Sequence, residues 1–138
     1  MMLFDTSALL NIIGEKGEES IKILKSGYIS DLTFYEVGNA IWKSVYRDLI
    51  TLDDAEVVLR TFEQLSTTMN VISCDRKELL DILKISTAES ITFYDASYVH
   101  NAIKNNLNLV TDDKKLRTAA SSYLKVLGSE DMNLNHIN

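Results

Sequence analysis

The chain has 138 residues with 20 acidic and 14 basic side chains, a net charge of −6 and no proline. That length fits one domain and is enough to bury a core. The acidity argues against a general basic coat for nucleic acid, because nonspecific binding depends on neutralising phosphates, but it leaves a local site or a basic protein partner open. No apolar run approaches the roughly 20 residues of a membrane helix, and the chain starts with a strand-like segment instead of a leader, so we expect a cytoplasmic protein.

The chain contains few residues that bind soft metals. The single cysteine, Cys74, has no partner for an internal disulfide or a zinc site, and we interpret it as a small buried hydrophobic residue. We predict that His100 faces solvent from a helix and that His136 lies in a loose tail covering about residues 130 to 138. Neither histidine is expected to be catalytic.

Five short apolar runs alternate with helical patterns along the chain. The runs are mostly continuous, as is typical of strands that are covered on both faces of a sheet. The predicted strands are Met2 to Phe4, Tyr28 to Ser30, Met69 to Ser73, Leu107 to Val110 and Leu124 to Leu127. The predicted helices are Ser7 to Ile13, Glu18 to Lys25, Thr33 to Arg47, Asp53 to Leu65, Arg76 to Ile85, Thr92 to Asn105 and Lys114 to Ala120. This order predicts a single parallel α/β domain over residues 1–138.

Four acids stand where these apolar runs give way to helical patterns: Asp5, Glu36, Asp95 and Asp113. In a parallel sheet the carboxyl ends of the strands share one rim, and ligands bind at that rim. Carboxylates a few ångströms apart repel each other, so their grouping calls for a cation. Oxygen ligands without a cysteine or histidine cluster favour Mg²⁺ or Mn²⁺ over zinc.

Each acid also has an ordinary structural interpretation. Asp5 is a favoured helix N-cap, and Asp112 and Asp113 suit a turn or cap before the last predicted helix. Glu36 and Asp95 each follow a threonine by three positions, which is the spacing of a capping box. Asp95, however, falls in the middle of the apolar face of its helix, where an unpaired carboxylate is costly. Four unrelated caps need not share one end of a sheet, so together the acids favour a metal site.

The predicted helix from Thr33 to Arg47 carries more aromatic side chains than one buried face usually holds. These residues are Phe34, Tyr35, Trp42 and Tyr46. Either all of them belong to the core, or some serve an interface with a partner. The sequence leaves both interpretations open.

Four motifs surround the acids. They are Phe4-Asp5-Thr6-Ser7, Leu32-Thr33-Phe34-Tyr35-Glu36-Val37, Thr92-Phe93-Tyr94-Asp95-Ala96 and Leu109-Val110-Thr111-Asp112-Asp113. In order, spacing and total length, the chain resembles PIN-domain ribonucleases, and among them the VapC-like toxins of prokaryotic toxin–antitoxin pairs. The resemblance implies a three-layer α/β/α domain with a central five-stranded parallel sheet and an acidic pocket for Mg²⁺ or Mn²⁺. It also implies a metal-dependent endoribonuclease that is held by a cognate antitoxin and is commonly a homodimer.

The resemblance further implies roles for individual residues. The catalytic and metal-binding acids would be Asp5, Glu36, Asp95 and Asp113, with Asp112 assisting or replacing its neighbour. Supporting hydroxyl groups would come from Thr6, Ser7 and Thr111. Candidate RNA contacts are Asn39, Lys43, Arg47, Lys114 and Lys115, for which ordinary solvated side chains are the simpler interpretation.

Three other functions remain compatible with the sequence, and one of them is a purely structural binding module. A stand-alone PIN nuclease in RNA processing has the same chemistry without a cognate inhibitor. A Mg²⁺-binding phosphoacceptor receiver domain also combines a parallel sheet with a rim of acids. That domain needs adjacent acids after its first strand, and Asp5-Thr6-Ser7 fits this requirement poorly.

Overall fold

A computed structural model describes residues 1–136, so the last two residues of the predicted tail lie outside the described part. Strands β1 to β5 are Met2–Phe4, Tyr28–Ser30, Asn70–Ile72, Asn108–Val110 and Val126–Leu127. Helices α1 to α7 are Thr6–Lys16, Glu19–Leu24, Asp31–Tyr46, Leu52–Ser66, Leu79–Glu89, Phe93–Lys104 and Lys114–Ala120. Short 3₁₀ turns occupy Arg76–Glu78, Ser129–Asp131 and Leu134–His136. Within residues 1–136, none of the helices has the length and apolar character needed to span a bilayer.

The strands form one sheet in the order β3-β2-β1-β4-β5, and every neighbouring pair is parallel. The predicted five-stranded parallel sheet is therefore confirmed. The chain moves outward from β1 through β2 to β3, then returns to place β4 on the other side of β1. Such a reversal of strand order opens a crevice beyond the carboxyl ends of β1 and β4, where ligands bind in open α/β sheets.

Two hydrophobic clusters cover the two faces of the sheet. Because side chains alternate along a strand, Phe4 and Val110 enter one cluster while Leu3 and Leu109 enter the other. Helices α1 to α4 supply the first cluster, and α5 to α7 supply the second. Each fully buried Leu, Ile or Phe contributes about 1.5–3 kcal/mol to stability. The result is the three-layer arrangement that holds the strand ends in fixed positions.

Helix α3 begins two residues earlier than the sequence predicted. Ser30 is its N-cap, and its hydroxyl accepts from the Leu32 N–H at 3.2 Å. Thr33 completes the capping box, because its Oγ1 accepts from the Ser30 N–H at 3.2 Å. Glu36 therefore lies one turn inside the helix, and the interpretation of Glu36 as a capping-box acid is wrong.

Two further predictions about exposure are wrong. Helix α5 packs against the polar side of α6, so Ser97 and Asn101 are buried and the His100 side chain is only 14% exposed. The helical period separates the two sides of α6 but does not show that a second helix covers the polar one. Cys74, predicted to be buried, is exposed in the loop after β3.

Glu78→Ala is expected to lower the free energy of unfolding by about 1–3 kcal/mol. The buried Glu78 carboxylate accepts from Lys104 Nζ and from the Asp75 N–H at 3.1 Å, and lies 3.6 Å from His100 Nε2. Among the described residues, that buried nitrogen has no hydrogen-bond partner. Denaturant unfolding measures the loss.

Glu56→Ala is the matched control for this change. Glu56 Oε2 lies 3.9 Å from Arg60 Nη2, and both side chains are largely exposed. Loss of this ion pair is therefore expected to lower the free energy of unfolding by less than about 1 kcal/mol. Equal losses in the two variants would contradict a structural role for Glu78.

Candidate active site

An open pocket of about 350 Å³ lies at the carboxyl rim of the sheet. The four acids singled out in the sequence, Asp5, Glu36, Asp95 and Asp113, all line it. The other lining residues are Thr6, Ser7, Leu10, Asn39, Ala40, Lys43 and Tyr98. Of the candidate RNA contacts, Asn39 and Lys43 are thus in the pocket, while Arg47, Lys114 and Lys115 are outside its lining.

Asp5 follows β1 directly and is the N-cap of α1. Its Oδ1 accepts from the Ala8 N–H at 2.9 Å and from Ser7 Oγ at 2.8 Å, and its Oδ2 accepts from Thr111 Oγ1 at 2.5 Å. The residue is only 5% exposed. Burial raises the pKa of Asp5 to about 6, although these donors oppose the shift. Asp5 is therefore a helix cap and a pocket acid at the same time.

Glu36 is held by two hydroxyl groups. Tyr98 donates from its phenol to Glu36 Oε1 at 2.6 Å, and Thr6 Oγ1 donates to the same oxygen at 3.0 Å. Burial and the neighbouring Glu36 charge raise the pKa of Tyr98, so its phenol remains a proton donor. The Tyr98 oxygen also lies 2.8 Å from Thr33 Oγ1. This network fixes the Glu36 side chain at the pocket wall.

Asp95 and Asp113 complete the acidic wall. Asp113 is the N-cap of α7, and its Oδ1 accepts from the Leu116 N–H at 2.9 Å. Asp95 is partly buried in the first turn of α6. Burial, followed by the charges of Asp113 and Glu36, raises the pKa of Asp95, while a hydrogen bond with Thr92 and the charge of Lys115 oppose the shift. These acids therefore interact electrostatically, as a shared cation site requires.

Asp112 has a different environment from Asp113. Its Oδ1 accepts from the Ser129 N–H at 2.7 Å, and its Oδ2 accepts from Asn11 Nδ2 at 2.6 Å. Burial opposes ionisation here, but these hydrogen bonds bring the pKa of Asp112 below its usual value. Asp112 does not belong to the pocket lining, and both its oxygens are engaged elsewhere. Its position gives no support to the idea that it replaces Asp113 at a metal.

The three hydroxyl groups predicted to support the site all contact the acids or their loops. Thr6 holds Glu36, whereas Ser7 and Thr111 hold Asp5. Ser7 Oγ also accepts from the Asp112 N–H at 3.0 Å, and Thr111 Oγ1 accepts from the Asp113 N–H at 3.1 Å. The hydroxyl groups therefore connect the end of β1 to the loop after β4.

The donor set of the pocket suits a hard divalent cation, because it consists of carboxylate and hydroxyl oxygens. Burial raises the pKa of Asp5, and burial together with the charges of Asp113 and Glu36 raises the pKa of Asp95, so a bound cation would favour the ionised form of both. Within residues 1–136, no three His, Cys, Asp or Glu side chains are grouped closely enough to hold an ion as they stand. The fit to a cation therefore rests on the chemistry of the donor set and on the pocket that these residues share.

Comparison with known proteins gives the family. The PIN domain matches residues 2–121 of the chain. The chain belongs to the PIN-domain family. This PIN domain is 32% identical over 124 residues to Exonuclease VapC9 of Pyrobaculum aerophilum, covering 90% of this chain and 89% of that protein. It is 30% identical over 102 residues to Ribonuclease VapC3 of the same organism, covering 74% and 77% of the two chains.

Solved structures share the fold. The crystal structure of PAE2754 from Pyrobaculum aerophilum superposes with a TM-score of 0.79 at 28% identity, covering 94% of this chain and 91% of that one. VapBC-1 from nontypeable Haemophilus influenzae superposes with a TM-score of 0.66 at 16% identity, covering 94% and 98%. At that lower identity the likeness shows the fold alone.

These comparisons narrow the set of functions that the sequence left open. The resemblance to VapC-like PIN domains is confirmed. The expected enzyme class, a nuclease, is confirmed as well, because PIN domains are nuclease domains that generally depend on a divalent metal. The phosphoacceptor receiver domain is excluded by the same family membership. A stand-alone nuclease and an inhibited toxin share the fold, and the comparisons leave that choice to experiment.

Proposed function

We propose that this PIN domain hydrolyses phosphodiester bonds within RNA, using Mg²⁺ or Mn²⁺, as the toxin of a VapBC-type pair. The observation that carries the proposal is the convergence of Asp5, Glu36, Asp95 and Asp113 on one pocket at the reversal of strand order. Two relatives bear the names exonuclease and ribonuclease, which supports nucleic-acid hydrolysis.

In this proposal Asp5, Asp95 and Asp113 would hold the cation. When bound, a divalent ion supplies positive charge to the phosphate and lowers the pKa of a coordinated water. Glu36, fixed by Tyr98 and Thr6, orients the attacking water. Lys43 at the pocket wall attracts the phosphate and offsets part of the acidic charge.

The proposed protein partner is a small antitoxin that covers the acidic pocket with a basic side chain. The net charge of −6 and the fold shared with VapBC-1 support such a partner. A homodimer and a cytoplasmic location are further parts of this proposal. Inhibition of the nuclease by the product of a small neighbouring reading frame would distinguish a toxin from a stand-alone enzyme.

A circular single-stranded RNA tests the reaction directly, because it has no ends. With Mn²⁺ or Mg²⁺ the purified protein is expected to convert the circle into linear fragments, and a chelator is expected to stop the reaction. A DNA circle of the same sequence is the control for substrate class. Degradation of linear RNA from its ends with an intact circle would overturn the endonuclease assignment, and no metal-dependent cleavage of either RNA would overturn the proposed function.

A further inference from the structure

A four-residue pattern occurs twice in the chain and accounts for two of the pocket acids. Thr33-Phe34-Tyr35-Glu36 and Thr92-Phe93-Tyr94-Asp95 share the order Thr-Phe-Tyr-acid. In both copies the acid lines the pocket while the preceding tyrosine is exposed, 81% for Tyr35 and 60% for Tyr94. The interpretation that all aromatic residues of α3 belong to the core is therefore wrong.

The two tyrosines line one cleft of about 480 Å³ together with Leu32, Glu36 and Asn39. Glu36 and Asn39 also line the acidic pocket, so the cleft opens directly onto the acids. Within residues 1–136, the close aromatic ring pairs involve neither tyrosine. Both rings are thus free to stack on a bound molecule.

The cleft continues inward between α3 and α6. A second cavity of about 270 Å³ shares Leu32, Tyr35 and Tyr94 with it and reaches Asn101. Asn101 lines this cavity and is only 2% exposed. A side-chain amide both donates and accepts hydrogen bonds, so Asn101 can recognise the polar edge of a molecule bound in this cavity.

We propose that this cleft holds one unpaired base of the RNA substrate beside the cleaved phosphate. Tyr35 and Tyr94 would stack on the base, and the Asn101 amide would donate to and accept from its edge, a pattern that adenine matches best. The inference rests on the proposed RNA hydrolysis and narrows its substrate to single strands, because bases in a duplex are already stacked. A protein segment is the weaker occupant, because two exposed tyrosine rings next to a side-chain amide match the flat face and the polar edge of a base.

Tyr35→Ala and Tyr94→Ala test the stacking. Each is expected to lower kcat/KM for a single-stranded RNA by about tenfold to a hundredfold, because base stacking on an aromatic residue has that effect. Tyr35→Phe and Tyr94→Phe keep the ring and should recover most of the cleavage that the alanine variants lose. Tyr46→Ala, a matched exposed tyrosine on α3 outside the cleft, should also leave cleavage unchanged. Undiminished cleavage by both alanine variants would overturn the proposal and leave the surface to a protein partner.

An abasic scan separates stacking from a merely structural role. Removing the base that occupies the cleft should slow the wild-type enzyme as much as Tyr35→Ala does, and the two changes together should cause little further loss. Asn101→Leu, similar in size, should reduce the preference for one base at that position. Additive losses at every abasic position would contradict the stacking on Tyr35. An unchanged base preference in Asn101→Leu would contradict the contact between Asn101 and the base.

A binding measurement keeps the inference distinguishable from the proposed function. A single-stranded RNA that carries 2-aminopurine at the identified position, or at each position in turn, is titrated with protein in the presence of a chelator. Quenching in the wild type that is lost in Tyr35→Ala supports the base site even if no cleavage is found. Normal cleavage without quenching at any position overturns the base site alone.

Discussion

Asp95→Asn is expected to lower RNA cleavage at least about a hundredfold, because even the loss of a group that only supports a metal ligand costs 10- to 100-fold. Asparagine keeps the shape of the side chain but removes the charge that a cation needs. The backbone N–H of Asp95 donates to the Thr92 cap, and asparagine keeps that N–H, so helix α6 retains its start. The loss should therefore appear in catalysis and metal binding and not in the unfolding transition.

Asp112→Asn is the matched control for this prediction. Asp112 lies beside Asp113 in sequence, but its carboxylate holds Ser129 and Asn11 outside the pocket. We expect cleavage to remain within about threefold of the wild type, in line with the small cost of changes away from a site. Retained cleavage in Asp95→Asn, or a collapse of cleavage in folded Asp112→Asn, would contradict the assignment of the acids.

Asp5 is expected to contribute stability to the metal-free protein at low pH that is lost as the pH rises through the acidic range. Its pKa is 3.8 when unperturbed and about 6 in the folded chain. Between these values the folded state binds a proton that the unfolded state has released, so the free energy of unfolding falls with rising pH. A shift of this size corresponds to at most about 3 kcal/mol, fully lost above pH 6.

Denaturant unfolding of the wild type and Asp5→Asn between pH 3.5 and about 7 measures this contribution. The difference between the two proteins isolates Asp5 from acids such as Glu78, whose pKa is lowered by Lys104 and whose contribution has the opposite sign. Mn²⁺ at neutral pH should restore the lost stability in the wild type only, because the ion binds the ionised carboxylate of Asp5, which Asp5→Asn lacks. Parallel pH profiles for the two proteins would show that Asp5 ionises without penalty.

The sequence was sufficient to predict the sheet and the position of the acids. Continuous apolar runs such as Met2 to Phe4, separated by helical patterns, favour buried parallel strands, and the position of the acids follows from the rim that parallel strands share. Asp5 and Asp113 proved to be helix caps and pocket residues together, so the two interpretations of these acids did not compete.

The remaining features depend on contacts between distant parts of the chain. Tyr98 follows Asp95 by three positions, on the same side of α6, but nothing in that spacing reveals the hydroxyl contact to Glu36 on another helix. The burial of His100 depends on the packing of α5, and the role of Asp112 depends on Ser129. Local patterns contain no information about such partners, which are set by tertiary packing.

The segment after α7 has a consequence for anyone who shortens this protein. The family match ends at residue 121, yet the Ser129 N–H holds Asp112, and Arg117 donates to Glu130 at 3.1 Å. Met132 is buried in the core that α1 helps to form. These contacts hold the loop that carries Asp113. A chain shortened to the family boundary would lose them, and the fourth acid would lose the support that fixes its position.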